Sequence, residues 1–378
     1  MKHFIKSLIA TAAIAASGAA LADISIGVVV PLTGQASGLG IPMSNGVKMW
    51  PATIGGEKVK VTILDDATDP TKGVQAARRL VSEDKVDVIV CSGATPVAVA
   101  IADVALETKT PQLALSPVGL PPGKDAWTFR MPQSNTVMAT AMVSHMQKQG
   151  VKTVGFIGYT DAYGEQWLQA LTPLLEKAGI KLVATERFAR ADTSVTAQAL
   201  KLFAANPDAM VVVASGSGAA MPQLAIAERG YNGKFYQTHA AATRDLMRVG
   251  GKVTEGTYVT SGPVVVAEQL PDSHPSKAIG VKFNADYEKL YGAGTRNQFG
   301  AHGYDTYLVL DKAIPVALKK AKPGTPEFRA ALKEALEGLQ AQAVTHGVLD
   351  WSATDHWGFR PETAVVMKVV NADWKWEH

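Results

Sequence analysis

Read for chemistry, the chain offers hydroxyls, backbone amides and one well-placed histidine, all in short loops. The loops are Pro31–Gly40 (PLTGQASGLG), Ser92–Pro96 (SGATP), Tyr159–Gly164 (YTDAYG) and Ser215–Gly218 (SGSG), each after an apolar strand-like run. His239 follows a similar run, Phe235–Gln237. Small hydroxyl residues leading into a helix present free N–H groups and a positive dipole end, which suits a carboxylate. Helix capping would account for any one of these loops, including Asp161 and Ser92. Their concentration at the carboxyl ends of strands points instead to a ligand cleft.

Other chemistries find little support. No Walker loop, G-x-S-x-G elbow or H-E-x-x-H occurs. Ser215–Met221 lies between a strand and a helix, but Met221 stands where the third glycine of a dinucleotide loop belongs, and no acidic residue ends a strand about 20 residues on. The eight histidines are scattered, with none paired at metal spacing. Cys91, the single cysteine, closes an apolar strand and reads as a small buried thiol. Lys and Arg number 37 against 34 Asp and Glu, with no basic stripe, so no nucleic-acid partner is expected. Neither a metal, a cofactor nor an enzymatic activity is expected.

The elements that must position these loops alternate along the chain. Residues 1–22 read as a cleavable leader: Lys2 and Lys6, an apolar Leu8–Ala16, then Ala20-Leu21-Ala22 before the mature start at Asp23. No later apolar run is long enough to span a membrane. Ile24–Val30, Val59–Leu64 and Val86–Cys91 are strands, with a helix at Pro70–Ser82 opened by Asp69 as cap and Pro70 in its first turn. After Met131 come strands at Val154–Ile157, Ile180–Thr185 and Ala209–Ala214, with helices at Gly164–Ala178, Ser194–Ala205 and Met221–Arg229. Near-continuous apolar strands between helices imply parallel sheets covered on both faces. Two units, roughly Asp23–Met131 and Lys152–Ser261, precede three helices (276–291, 300–320, 326–339) and a final strand, Ala364–Val370. The chain is thus an α/β protein with two doubly wound units and a shared tail.

Ile26–Gly34 (IGVVVPLTG), Leu64–Pro70 (LDDATDP), Cys91-Ser92, Leu115–Pro117 (LSP), Tyr163–Glu165 (YGE) and Gly303-Tyr304-Asp305 occur in this order over nearly all of the mature chain. In these residues the chain resembles the periplasmic solute-binding proteins of the leucine/isoleucine/valine-binding type, which feed ABC importers. The resemblance implies a type I periplasmic binding fold: two doubly wound parallel-sheet lobes joined by three crossovers. Lobe 1 would take residues 23–138 and 264–346, and lobe 2 residues 139–263 and 347–378. It implies a periplasmic protein that serves an inner-membrane ABC permease and holds a small carboxylate or amino acid between its lobes. A ligand-sensing domain would have the same architecture.

Residue by residue, the resemblance places Ser92, with the amides of Gly93 and Ala94, at the ligand carboxylate. Ser116, Val118 and Leu120 fall on the stretch that meets an amino-acid head group. Leu120 stands where amino-acid binders usually carry a threonine. Tyr163 matches a ligand-contacting tyrosine, and Leu39 and Ser215 replace others. His239 occupies the place of the acidic residue that pairs with an α-ammonium. Thr68 stands where some relatives have a cysteine partner for Cys91. A buried ammonium without a carboxylate costs several kcal/mol, whereas histidine can donate to an anion. An aromatic or apolar carboxylate is therefore the expected ligand. Asp161 is the acid that could restore an amino-acid site.

Overall fold

The computed structural model describes residues 23–377, so the leader expected at residues 1–22 lies outside the described residues. The first sheet is built from β1 (Ile24–Val30), β2 (Thr53–Ile54), β3 (Glu57–Asp65), β4 (Val88–Cys91), β5 (Gln112–Ala114) and β6 (Thr128–Arg130). Their order is β2-β3-β1-β4-β5-β6, parallel except for the β2–β3 pair. Every residue of β1 is buried, as a central strand covered on both faces requires. Gly27 within it admits α2 (Pro70–Ser82), because a Cβ there would come 2.7 Å from Leu80 Cδ1. Asp69 caps α2 as expected, accepting from the amides of Thr71 and Lys72. The helices α1 (Ser37–Val47) and α3 (Thr95–Thr108) follow β1 and β4.

The second sheet contains β7 (Thr153–Tyr159), β8 (Lys181–Phe188), β9 (Ala209–Val213), β10 (Lys234–Gln237), β11 (Tyr258–Ser261), β14 (Val365–Val370) and β15 (Asp373–Glu377). The order is β15-β14-β11-β10-β9-β7-β8, with β14 and β15 antiparallel at one edge. Its helices are α4 (Asn135–Lys148), α5 (Ala162–Lys177), α6 (Thr196–Ala205), α7 (Ala220–Ala227) and α8 (Arg244–Gly250). In the tail, α10 (Gln298–Leu318), α11 (Pro326–Glu337) and the hairpin β12–β13 (Gln342–Val344, Gly347–Leu349) pack on the first core through Leu310, Ile314, Phe328 and Leu349. Helix α9 (Lys277–Tyr291) packs on segment 263–269 and on the first unit: Asn45 Nδ2 of α1 donates to Tyr287 Oη (3.4 Å), Tyr291 Oη donates to the Asn45 carbonyl (3.0 Å), and Phe283 meets Tyr304 of α10 with ring centres 5.4 Å apart.

The chain passes between sheets after β6, between β11 and α10, and before β14. These passages meet at one place. Gln133 Nε2, on the first, donates to the carbonyls of His346 (2.8 Å) and Thr363 (3.3 Å), which flank the third. Gly262, on the second, leaves room for the His346 ring, since a Cβ would sit 2.4 Å from His346 Cδ2. We therefore expect Gln133→Ala, which removes the shared donor from two buried carbonyls, to cost about 1–3 kcal/mol. The measurement is the urea midpoint of unfolding, and an unchanged midpoint would show that the passages do not depend on this clamp.

Candidate functional site

Parallel strands end with their carboxyl termini towards the helix starts that follow them, and in both sheets those ends face the same cleft. From the first sheet come Gly93, Thr95, Leu115, Ser116 and Pro117, joined by Leu39 on α1 and Phe299 on α10. From the second come Tyr163, Arg190, Ser215, His239 and Ala240. They border a narrow, partly open cleft. The lobes also touch beside it: the side-chain amide of Gln166 on α5 accepts from Gly119 N (3.0 Å) and donates to Gly119 O (3.1 Å).

Of the residues expected from the sequence, Leu39, Gly93, Ser116, Tyr163, Ser215 and His239 line this cavity, and Ser92, Ala94, Val118 and Leu120 do not. Ser92 is fully buried and turns inward; its hydroxyl donates to Asp66 Oδ2 at 2.7 Å and accepts from Ala94 N at 3.2 Å. The expected hydroxyl anchor is thus spent on holding the start of α3 against β3. Burial pushes the Asp66 carboxyl up to about 6, against the opposing pull of the Ser92 hydroxyl and the Thr68 amide. Ala94 and Val118 belong to the core under α2 and α3, and Leu120 packs against it. Val118 contributes only its carbonyl, which accepts from Arg130 Nε at 3.0 Å. Leu39 sits on a helix and not in the loop read as Pro31–Gly40, because α1 begins at Ser37. Thr68 Oγ1 receives the Ala36 amide there (3.0 Å), and Gly40 lets the helix lie against the Pro31 carbonyl. Cys91 is a buried free thiol contacted by Gln112 Nε2 at 3.0 Å, and burial pushes its pKa up to about 12.

Among the cavity residues that sequence reasoning missed, the charged one is Arg190. The strand β8 runs to Phe188, three residues beyond the end read from the apolar pattern, which brings Arg190 to the ligand-facing edge of the sheet. A basic residue just past a parallel strand was the available signal, hidden by the polar Glu186-Arg187 pair on this edge strand. Arg190 Nε donates to Asp161 Oδ2 and Nη1 to Ser215 Oγ (3.0 Å), while the guanidinium lies 4.1 Å from the centre of the Tyr159 ring. Tyr159 Oη in turn accepts from Ser215 N at 3.2 Å. Asp161 is fully engaged, because its other oxygen caps α5 by accepting from Tyr163 N (2.9 Å) and Gly164 N (3.4 Å).

The remaining polar groups are neutral. Tyr163 Oη pairs with Thr238 Oγ1 at 2.7 Å, and burial raises its pKa. Burial, with a smaller contribution from His346, holds the His239 imidazole down at about 3. Ser116 Oγ is buried without a hydrogen-bond partner among the described residues. Among the described residues no Asp or Glu lines the cavity. The arrangement can hold an anionic group and an apolar body, and it offers an ammonium no counter-ion.

The sequence profile of the periplasmic binding proteins matches residues 23–373. An extracellular ligand-binding receptor from Rhodopseudomonas palustris HaA2 is 45% identical, with a TM-score of 0.93 over 94% of this chain and 100% of that one. A solute-binding protein of an ABC transporter from Rhodopseudomonas palustris BisB5, solved in complex with 3,4-dihydroxybenzoic acid, shares the fold at 22% identity (TM-score 0.78, 93% and 95% covered). The Leu/Ile/Val-binding protein homolog 3 of Brucella melitensis is 27% identical over 68% of this chain and 72% of its own. With its two parallel sheets, its shared tail and these relatives, the chain belongs to the periplasmic binding protein family.

Proposed function

We propose that this protein captures a small aromatic or apolar carboxylate between its lobes and delivers it to an ABC permease of the inner membrane. The observation that carries the reading is the cavity wall: a guanidinium, Arg190, and no acidic side chain among the described residues. Arg190 is held by Asp161 and Ser215 with its fork still bordering the cavity, which pre-organises it for a carboxylate. Leu39, Leu115, Pro117 and Phe299 supply the surface against which an apolar body packs. The fold relative solved with 3,4-dihydroxybenzoic acid supports the same ligand class. The curated relatives named for leucine, isoleucine and valine favour a second reading, an amino-acid site. Against it stands Asp161, whose two oxygens are already occupied. If residues 1–22 act as the leader expected from the sequence, mass spectrometry of the secreted protein should find an N-terminus at Asp23.

Calorimetric titration decides between the readings: benzoate or 3,4-dihydroxybenzoate should bind, and leucine should give little heat. Tight leucine binding with silence from both acids would replace this reading with the amino-acid one. Arg190→Ala should weaken the acid by roughly ten- to a hundredfold, since a hydrogen bond to a charged group is worth about 1.5–3 kcal/mol. Arg190→Lys should recover only part of the loss, lacking the fork.

Closure carries its own test. The Gln166–Gly119 pair joins the two lobes only when they are together. Gln166→Ala should therefore weaken binding by roughly five- to a hundredfold, chiefly through faster ligand release, as two neutral hydrogen bonds at about 0.5–1.5 kcal/mol each allow. Stopped-flow release rates identical to the unmodified protein would remove the pair from the closing mechanism.

A further inference from the structure

We propose that the cleft takes its anionic ligand together with one proton from solvent, and that the His239 ring is the group that holds this proton. The proposal rests on the acid-binding reading above. Its basis is a charge count. Arg190, the cation at the cavity wall, is already bonded to Asp161, so the pair brings no net charge to the site. A carboxylate enclosed beside it would be a buried charge without compensation, apart from the partial positive end of α3.

His239 is placed to supply what is missing. It lines the cavity, is buried, and its Nδ1 has no hydrogen-bond partner among the described residues. Its ring meets Tyr163 edge-on at 5.8 Å and tilts over Trp167 at 5.9 Å, so it is fixed in place. Gln298 Nε2 donates to the His239 carbonyl from the first turn of α10. One turn further on lies His302, buried, with neither ring nitrogen partnered among the described residues. It stacks on His346 with ring centres 3.9 Å apart. His346 Nδ1 donates to Asp305 Oδ2 at 2.8 Å, and Asp305 also accepts from Thr345 N (2.9 Å) and Thr345 Oγ1 (2.8 Å). A row of imidazoles thus leads from the cavity wall to a buried carboxylate.

The titratable and charged groups round His239 come from every element packed on it: Arg190 with Asp161, Tyr163 on α5, His302 and Asp305 on α10, and His346 beyond β13. Without ligand, burial and His346 keep the imidazole neutral down to about pH 3. A carboxylate in contact with it reverses the balance, because an opposite charge favours the protonated form and a dry cleft strengthens that attraction. The complex then binds more protons than the free protein. By linkage, affinity rises as pH falls, by up to about tenfold per pH unit. The slope extends upward from the free-site value near 3 to the raised value in the complex, and affinity is flat above that.

The test is calorimetric titration with benzoate and with 3,4-dihydroxybenzoate, between about pH 5 and 8, in two buffers of very different ionisation enthalpy. The expected result is proton uptake that approaches one per site towards about pH 5 and fades towards about pH 8, read from the difference in heat between buffers, with affinity falling as pH rises. His239→Gln, which cannot titrate in this range, should bind with heats independent of the buffer. Equal heats in both buffers for the unmodified protein would overturn the proposal and leave the acid-binding reading standing. Uptake that persists in His239→Gln would overturn it too, by placing the proton on the ligand. Failure of both acids to bind across the range would overturn the two readings together. Should the variant not fold, the imidazole carbon shifts of His239 in the unmodified protein, with and without benzoate, report the same protonation.

Discussion

Closing two lobes over a charged ligand would take it out of water, and the cost of such desolvation limits which side chains a closed cleft can carry. Much of the local structure follows from the limit. A lone guanidinium at the wall of a closed cleft, as Arg190 would be, is itself expensive. Asp161 and Ser215 hold it, with the Tyr159 ring beneath. Asp161 can do so because it also caps α5, so one carboxylate orders a helix start and a cation together. The same economy appears on the other lobe, where Asp66, Ser92 and the Ala94 amide order the start of α3 without presenting a carboxylate to the cavity.

The architecture was readable because its signal is periodic. Apolar strands of β-branched residues alternating with helices dictate parallel sheets, and the Asp69-Pro70 start of α2 could be placed to the residue. The loops at the strand ends followed from the same pattern, and with them Gly93, Tyr163, Ser215 and His239 at the cavity, whereas Leu39 and Ser116 came from the resemblance to the family. What escaped was direction. Ser92 carries the right group at the right place, yet its hydroxyl points at Asp66, a residue 26 positions away that only the β1–β3–β4 arrangement brings near. Val118 and Leu120 lie next to Pro117, which does line the cavity, but their side chains turn into the core. Arg190 was lost for a different reason: an edge strand with polar residues does not show its end in hydropathy.

The Gln166–Gly119 bridge has a bearing on selectivity. Both of its hydrogen bonds are made between parts of the protein, and neither touches the cavity wall, so their contribution to closure is the same whatever molecule lies inside. A share of the closing free energy is thereby independent of ligand chemistry. Ligands that differ at one end would then differ less in their power to close the lobes than their own contacts suggest. The bridge also favours the closed form when nothing is bound, and each increment of that bias raises the population of unliganded closed protein. A transporter that recognises closure would meet more of these idle copies. The strength of a two-bond contact outside the site therefore balances breadth of capture against the fraction of protein that presents itself empty.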